Sequence, residues 1–209
     1  MIYRKDATLM SNRINQSAMF RLQYGLYCLT ARDGAKDNGC IVNTAIQVTS
    51  DPQMVAVTVS KQNYTCDIIK KTGEMNINCL SKDTPFEVFK RYGFQSGRAA
   101  DKFTDISFER SANGLAILPE YANAYISVSV KQEVDLGSHI LFIGCVTEAE
   151  VLSDSETITY GHYQSRIKPK PEKKGFVCKI CGYVYSGDVL PEDYICPICK
   201  HGAVDFEPM

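Results

Sequence analysis

CIVNTAIQVTSDPQMVAVTVS, residues 40–60, is rich in Val, Ile and Thr and broken once by an Asp-Pro step. Such residues fit a pleated, half-buried surface. We read one strand over 40–50, ended by Asp51-Pro52, and another over 54–60. Upstream, YGLYCLTAR (24–32) has the same character, and turn-like DGAKDNG separates it from residue 40. Downstream, YISVSVKQEV alternates: Ile126, Val128 and Val130 face one way, Ser127, Ser129 and Lys131 the other. DLGSH then turns the chain, and ILFIGCVTEAEVL returns as a long partner. Two short helices are expected. Tyr64–Lys71 has apolar spacing with Gly73 as its C-cap, and Thr84–Tyr92 opens on Thr-Pro. Many strands and few helices predict a mainly β fold, a barrel.

The chain has 209 residues, 44% of them apolar, and a net charge of −1 from 23 basic and 24 acidic residues. That suits one or two globular domains and recruits neither nucleic acid nor an anionic membrane. No apolar run has transmembrane length, and MIYRKDATLMSNRINQ lacks an apolar signal core. Cys28, Cys40, Cys66, Cys79 and Cys145 are scattered, several in apolar surroundings, which is a poor disulfide framework. A reducing, cytoplasmic location is the expectation.

RIKPKPEKKG, residues 166–175, has two prolines and five basic residues and reads as an extended linker able to reach about 30 Å. It separates domains at 1–165 and 176–209. The second holds CKICGYVYSGDVLPEDYICPICK (178–200): Cys178 and Cys181, fourteen residues, then Cys196 and Cys199. Two C-x-x-C turns can close a tetrahedron of thiolates on one ion. Spacing alone leaves zinc and iron open.

FVCKICGYVY, YICPIC and DFEPM resemble the two knuckles and closing segment of a rubredoxin. The resemblance implies one iron on Cys178, Cys181, Cys196 and Cys199, and a tail that depends on its metal to fold. Phe176, Tyr183, Tyr185, Tyr194 and Phe206 are expected to wrap it, mainly as core. The loop between knuckles is shorter than in free-standing rubredoxins, closer to rubrerythrin tails. Lys200 stands where glycine is usual, so one backbone approach to sulfur is expected to differ.

No G-x-G-x-x-G or P-loop is present. CIVNTAIQVTSDP with VAVTVSKQNYT, LGSHILFIGCV and Tyr160-Gly161-His162-Tyr163 instead resembles the FMN-binding split barrel of the flavin reductase family. By that resemblance Asn43, Thr44, Ala45, Gln47 and Thr49 run along the flavin. Ser60, Lys61, Asn63 and Thr65 hold its phosphate at a helix N-terminus. Ser96, Lys102 and His162 are further candidates. Each has a plainer reading: Asn43 and Gln47 as exposed strand polars, Lys61 and Lys102 as solvated charges, His162 or His139 as structural histidines.

The two-domain arrangement resembles the high-molecular-weight rubredoxins. It implies a homodimer that passes electrons from NAD(P)H through FMN to iron, then to a redox partner such as a flavodiiron oxygen or nitric oxide reductase. A pure electron carrier reduced by another enzyme, and a flavin reductase with a structural zinc tail, stay open. A zinc-ribbon module for nucleic acid is disfavoured by the tail's charge: Lys179, Lys200 and His201 face Asp188, Glu192, Asp193, Asp205 and Glu207.

Overall fold

The computed structural model describes residues 16–169 and 175–209. It divides into two compact units at Lys168/Pro169. The expected linker residues 170–174 lie outside the described residues. The start of that expected linker is helical instead: a short helix α3 (Tyr160–His162) runs on as a π-helical turn, Tyr163–Ile167, and Ile167 packs on the core.

Seven strands of the first unit form one antiparallel sheet. In chain order they are β1 (Tyr27–Asp33), β2 (Lys36–Val42), β3 (Ala45–Ser50), β4 (Gln53–Ser60), β5 (Glu74–Leu80), β8 (Ala122–Asp135) and β9 (His139–Val151). Two-residue strands β6 (Glu109–Arg110) and β7 (Ala116–Ile117) pair with each other apart from it. The sheet order is β2-β1-β5-β8-β9-β4-β3.

Two sequence expectations change here. Residues 40–50 are not one strand: Asn43 and Thr44 break the run. The turn before it is only Gly34–Ala35, with Gly34 at φ 59, and Lys36–Gly39 already belong to β2. The break has a large consequence. β2 and β3 are consecutive in the chain yet form opposite edges of the sheet. Laid flat, those edges would lie about 29 Å apart at ~4.8 Å per strand. The step from Val42 to Ala45 spans at most about 11 Å. The sheet must therefore roll until its edges meet, which makes it a barrel. Thr44 carries the β3–β4 ladder one step into the connection: its Oγ1 donates to the Thr58 carbonyl at 2.9 Å, and its own carbonyl accepts from the Thr58 amide at 3.3 Å. Register shifts at Ser127/Val128 and Val130/Gln132 help bend the long β8–β9 pair.

The barrel interior is filled by Leu29, Val57, Val59, Met75, Val128 and Phe142, all essentially without solvent contact. Helix α1 (Tyr64–Thr72) presents Ile68 and Ile69 to this core and ends at Gly73, φ 72, as its capping residue requires. A second cluster lies around α2 (Phe86–Gly93), where Val88, Phe89 and Tyr92 meet Leu26, Leu80, Leu118 and Ile158. The helix cap there is Pro85, not Thr84; the Thr84 hydroxyl donates instead to the Tyr121 carbonyl at 2.9 Å. No helix among the described residues is long and apolar enough to cross a membrane.

The second unit has three short strands, β10 (Phe176–Cys178), β11 (Val184–Tyr185) and β12 (Phe206–Pro208), in the order β11-β10-β12. Tyr185, Tyr194 and Phe206 form its aromatic core, with ring centroids 4.5 and 5.5 Å apart along the series.

Candidate functional site

The sulfur site is made by two copies of one turn. In the first, the Cys178 amide donates to the Tyr183 carbonyl and the Gly182 amide to the Cys178 carbonyl, each at 2.8 Å. In the second, the Cys196 amide donates to the His201 carbonyl at 2.8 Å and the Lys200 amide to the Cys196 carbonyl at 3.0 Å. Gly182 has φ 75 and Lys200 φ 64, so lysine adopts the left-handed backbone that glycine takes in its twin. The expected difference at Lys200 is thus not a change of path. The turn forms as in the first knuckle, with an L side chain in a costly conformation.

The four Sγ atoms lie within 4.8 Å of one another, with Cys178–Cys199 and Cys181–Cys196 at 3.5 Å. A tetrahedral ion with ~2.3 Å bonds to sulfur wants edges of about 3.8 Å, so the donor set fits one such ion. Cys178 and Cys196 are buried, while Cys181 is exposed. Beside it, Ile180 and Ile198 also face solvent. The thiols conflict as they stand. The His201 amide favours a Cys199 thiolate, yet burial and the neighbouring sulfurs outweigh it and push that thiol up. Burial opposes ionisation of Cys196, but the Cys199 and Ile198 amides and neighbouring thiols bring it down. A cation at the centre resolves that conflict.

In the first unit, three hollows share walls. One, of about 340 Å³, is lined by Asn43, Thr44, Thr58, Ser60, Asn63 and His139. A second, of about 190 Å³, continues from Asn63 to Thr65, Ser96, Gly97 and Lys102. A third, also about 190 Å³, joins the second at Gly93 and Phe94 and brings in Tyr160 and Tyr163. Together they form one groove that starts at the barrel seam and passes the start of α1. Asn63 makes no side-chain cap; the Cys66 amide donates to the Asn63 carbonyl at 2.9 Å, and the Tyr64 and Thr65 amides before it have no capping side chain, while both residues line the groove.

Lys102 defines the chemistry of the middle hollow. It is only 3% exposed. Its ammonium donates to the Gly39 carbonyl at 2.8 Å and the Tyr92 carbonyl at 3.1 Å, and no carboxylate among the described residues pairs with it. Burial lowers its pKa, against the pull of Cys40 and Cys28. A buried cation without a counter-charge is expensive. Together with the α1 terminus it makes the hollow a place for an anion.

Asn43, Thr44, Ser60, Asn63, Thr65, Ser96 and Lys102 therefore line one groove. Other candidates lie elsewhere. Ala45 and Gln47 line a separate apolar cavity of about 280 Å³, with Tyr27, Val55 and Ile126. The Thr49 hydroxyl donates to the Pro52 carbonyl, closing the β3–β4 turn. Lys61 is tied to Asp135 at 2.7 Å. His162 is half-buried on α3, where its amide donates to Thr159 Oγ1 at 3.1 Å, and it lines none of these hollows. His139, read from sequence only as a structural histidine, does line the groove, with Nδ1 2.8 Å from Ser138 Oγ. Its place at the tip of the β8–β9 hairpin was the signal available.

Two family models match the chain. Residues 19–170 match the flavin reductase like domain, and residues 176–207 the rubrerythrin, rubredoxin-like domain. A high molecular weight rubredoxin of Moorella thermoacetica is 36% identical over 93% of this chain and 99% of its own. A ferric-chelate reductase (NAD(P)H) of Archaeoglobus fulgidus is 34% identical over 77% of this chain and 95% of its own. A solved flavin reductase in its native state superposes with a TM-score of 0.61 at 26% identity, covering 72% of this chain and 93% of that one.

Proposed function

Because the chain belongs to the flavin reductase-like family, an oxidoreductase family, and joins it to a rubredoxin-like tail as the high-molecular-weight rubredoxins do, we propose that it moves electrons from NAD(P)H through FMN to one iron held by Cys178, Cys181, Cys196 and Cys199. The observation that carries the flavin assignment is the unpaired, buried Lys102 ammonium beside the open start of α1. The phosphate of FMN supplies the charge that Lys102 lacks. Thr65, Ser96 and Asn63 would give it hydroxyl and amide contacts, while Asn43, Thr44 and Ser60 would line the ring's side of the groove. Bound FMN exchanges two electrons with a nicotinamide and one at a time with a metal centre, which the iron relays singly. Covalent linkage keeps the two centres at high effective concentration.

The exposed Cys181, with Ile180 and Ile198 around it, gives the tail an apolar contact for a redox partner, for which a flavodiiron oxygen or nitric oxide reductase is our choice. None of the nine cysteines is in a disulfide, in keeping with the cytoplasm. A homodimer is also proposed, since edge strand β3 leaves Ile46 and Val48 uncovered; a single-chain mass in sedimentation would refute it.

The central experiment is anaerobic. Purified protein should hold one FMN and one iron per chain, and NADH or NADPH should bleach the flavin and the thiolate-to-iron absorption together. Stoichiometric zinc, or a reduced flavin beside iron that stays oxidised, would defeat the proposal.

A further inference from the structure

Asn38, on β2, is 1% exposed and lies behind the hollow lined by Thr65, Gly97 and Lys102. Its Nδ2 donates to Thr65 Oγ1 at 2.9 Å. Its Oδ1 is buried with no hydrogen-bond partner. The carboxamide is wedged against Gly97, where an added Cβ would come within 2.0 Å of Oδ1. Packing alone does not account for such a residue. An apolar side chain of the same shape would avoid burying an idle carbonyl.

What the carboxamide does is fix a neighbour. A threonine hydroxyl has one proton and two lone pairs. Thr65 is fully buried and lines the hollow, and one of its lone pairs is taken by Asn38. Its proton remains. Among the described residues no oxygen or nitrogen accepts it. The acceptor beside it is the Cys40 sulfur, and a hydrogen bond from Thr65 favours the Cys40 thiolate, but burial outweighs it and pushes that thiol up to about 11, so the partner is a neutral thiol, a weak acceptor. Both Thr65 and Cys40 line the hollow, so a charged oxygen placed there competes with that sulfur for the Thr65 proton and is the stronger acceptor.

We propose that Asn38 is a positioning residue: by donating to Thr65 it presents the Thr65 hydroxyl as a donor, and so makes the groove select a flavin with a terminal phosphate over the same ring without one. This rests on the reading of the Lys102 hollow as the phosphate end. It adds that the preference for FMN is set partly from behind the site, by a residue that does not touch the ligand.

The test compares FMN with riboflavin, by flavin fluorescence titration of protein stripped of flavin. The variants are Asn38→Leu, Asn38→Asp, Thr65→Val and the Asn38→Leu/Thr65→Val double. Wild type should bind FMN more tightly than riboflavin. Asn38→Leu and Thr65→Val should each lower FMN affinity about tenfold or more, the scale of one hydrogen bond to a charged group. Riboflavin affinity should stay unchanged, which also reports that each variant folds. In the double variant Asn38→Leu should add nothing to Thr65→Val, because its effect runs through that hydroxyl. Asn38→Asp, which accepts the Thr65 proton and adds a negative charge, should lose more than Asn38→Leu. A parallel loss of both flavins, or an Asn38→Leu loss undiminished in the Thr65→Val background, overturns the assignment. Wild type with no preference for FMN would sink the phosphate reading itself. A preference that survives Asn38→Leu and Asn38→Asp would sink only the role of Asn38.

Discussion

The two knuckles of the sulfur site are a matched pair in which one position differs, and this allows a reciprocal experiment. Gly182 and Lys200 share a left-handed backbone and the same amide-to-carbonyl bond. A Cβ added at Gly182 meets nothing within 4 Å, so Gly182→Ala adds no clash and costs only conformation. Left-handed backbone costs an L residue roughly 1–2 kcal/mol. Alanine recovers about 0.4–1 kcal/mol by having less unfolded freedom to lose. The net cost is about 1 kcal/mol, and Lys200→Gly should gain a similar amount. If the tail folds around its metal, that energy appears as metal affinity, so each change should shift apparent affinity about fivefold, in opposite directions. Competition against a chromophoric chelator measures this directly. The exchange of both residues, Gly182→Lys with Lys200→Gly, should return close to wild type. A Lys200→Gly protein that loses metal more readily, or a Gly182→Ala protein indistinguishable from wild type, would refute the reasoning.

Lys102→Met keeps most of the stem and removes the charge; FMN binding should weaken by about 2–4 kcal/mol, with riboflavin binding nearly unaffected, by titration. Burial lowers the Lys102 pKa from its usual 10.5, and a bound phosphate restores the charge, so binding takes up a proton from the lowered value upward. The FMN-to-riboflavin affinity ratio should therefore be flat at lower pH and fall as pH rises through that window. Gly97→Ala drives a Cβ into the Asn38 carboxamide and should cost about 1–3 kcal/mol of stability to thermal unfolding, along with the preference for FMN.

The cysteine spacing made the metal site legible because four ligands in two tight turns leave the chain little choice. Strand identity was readable where side chains alternate, as in β8. β5 was not, because its sequence, EMNINCL, sets Asn76 and Asn78 among apolar residues, and asparagine disfavours strands. Both are fully buried: Asn78 donates to the Cys28 carbonyl at 3.1 Å and accepts from the Leu118 amide at 2.9 Å. That polar network belongs to tertiary structure and leaves no periodic trace. The family resemblance named Lys102 as a candidate, but its burial was hidden for the same reason. A lysine in a loop reads as solvated, and only the packing of Gly39 and Tyr92 shows it enclosed. Conversely, Lys61 and Thr49 carry suitable chemistry at suitable spacing, yet local partners claim them.

The short step through Asn43 and Thr44 joins strands at the far ends of the sheet and is also a wall of the groove. Any occupant there touches β2, β4 and the connection that closes the cylinder, as a clasp grips a cuff. Flavin loading should thus be felt as a tightening of the whole cylinder, with slower amide exchange in strands that never touch it.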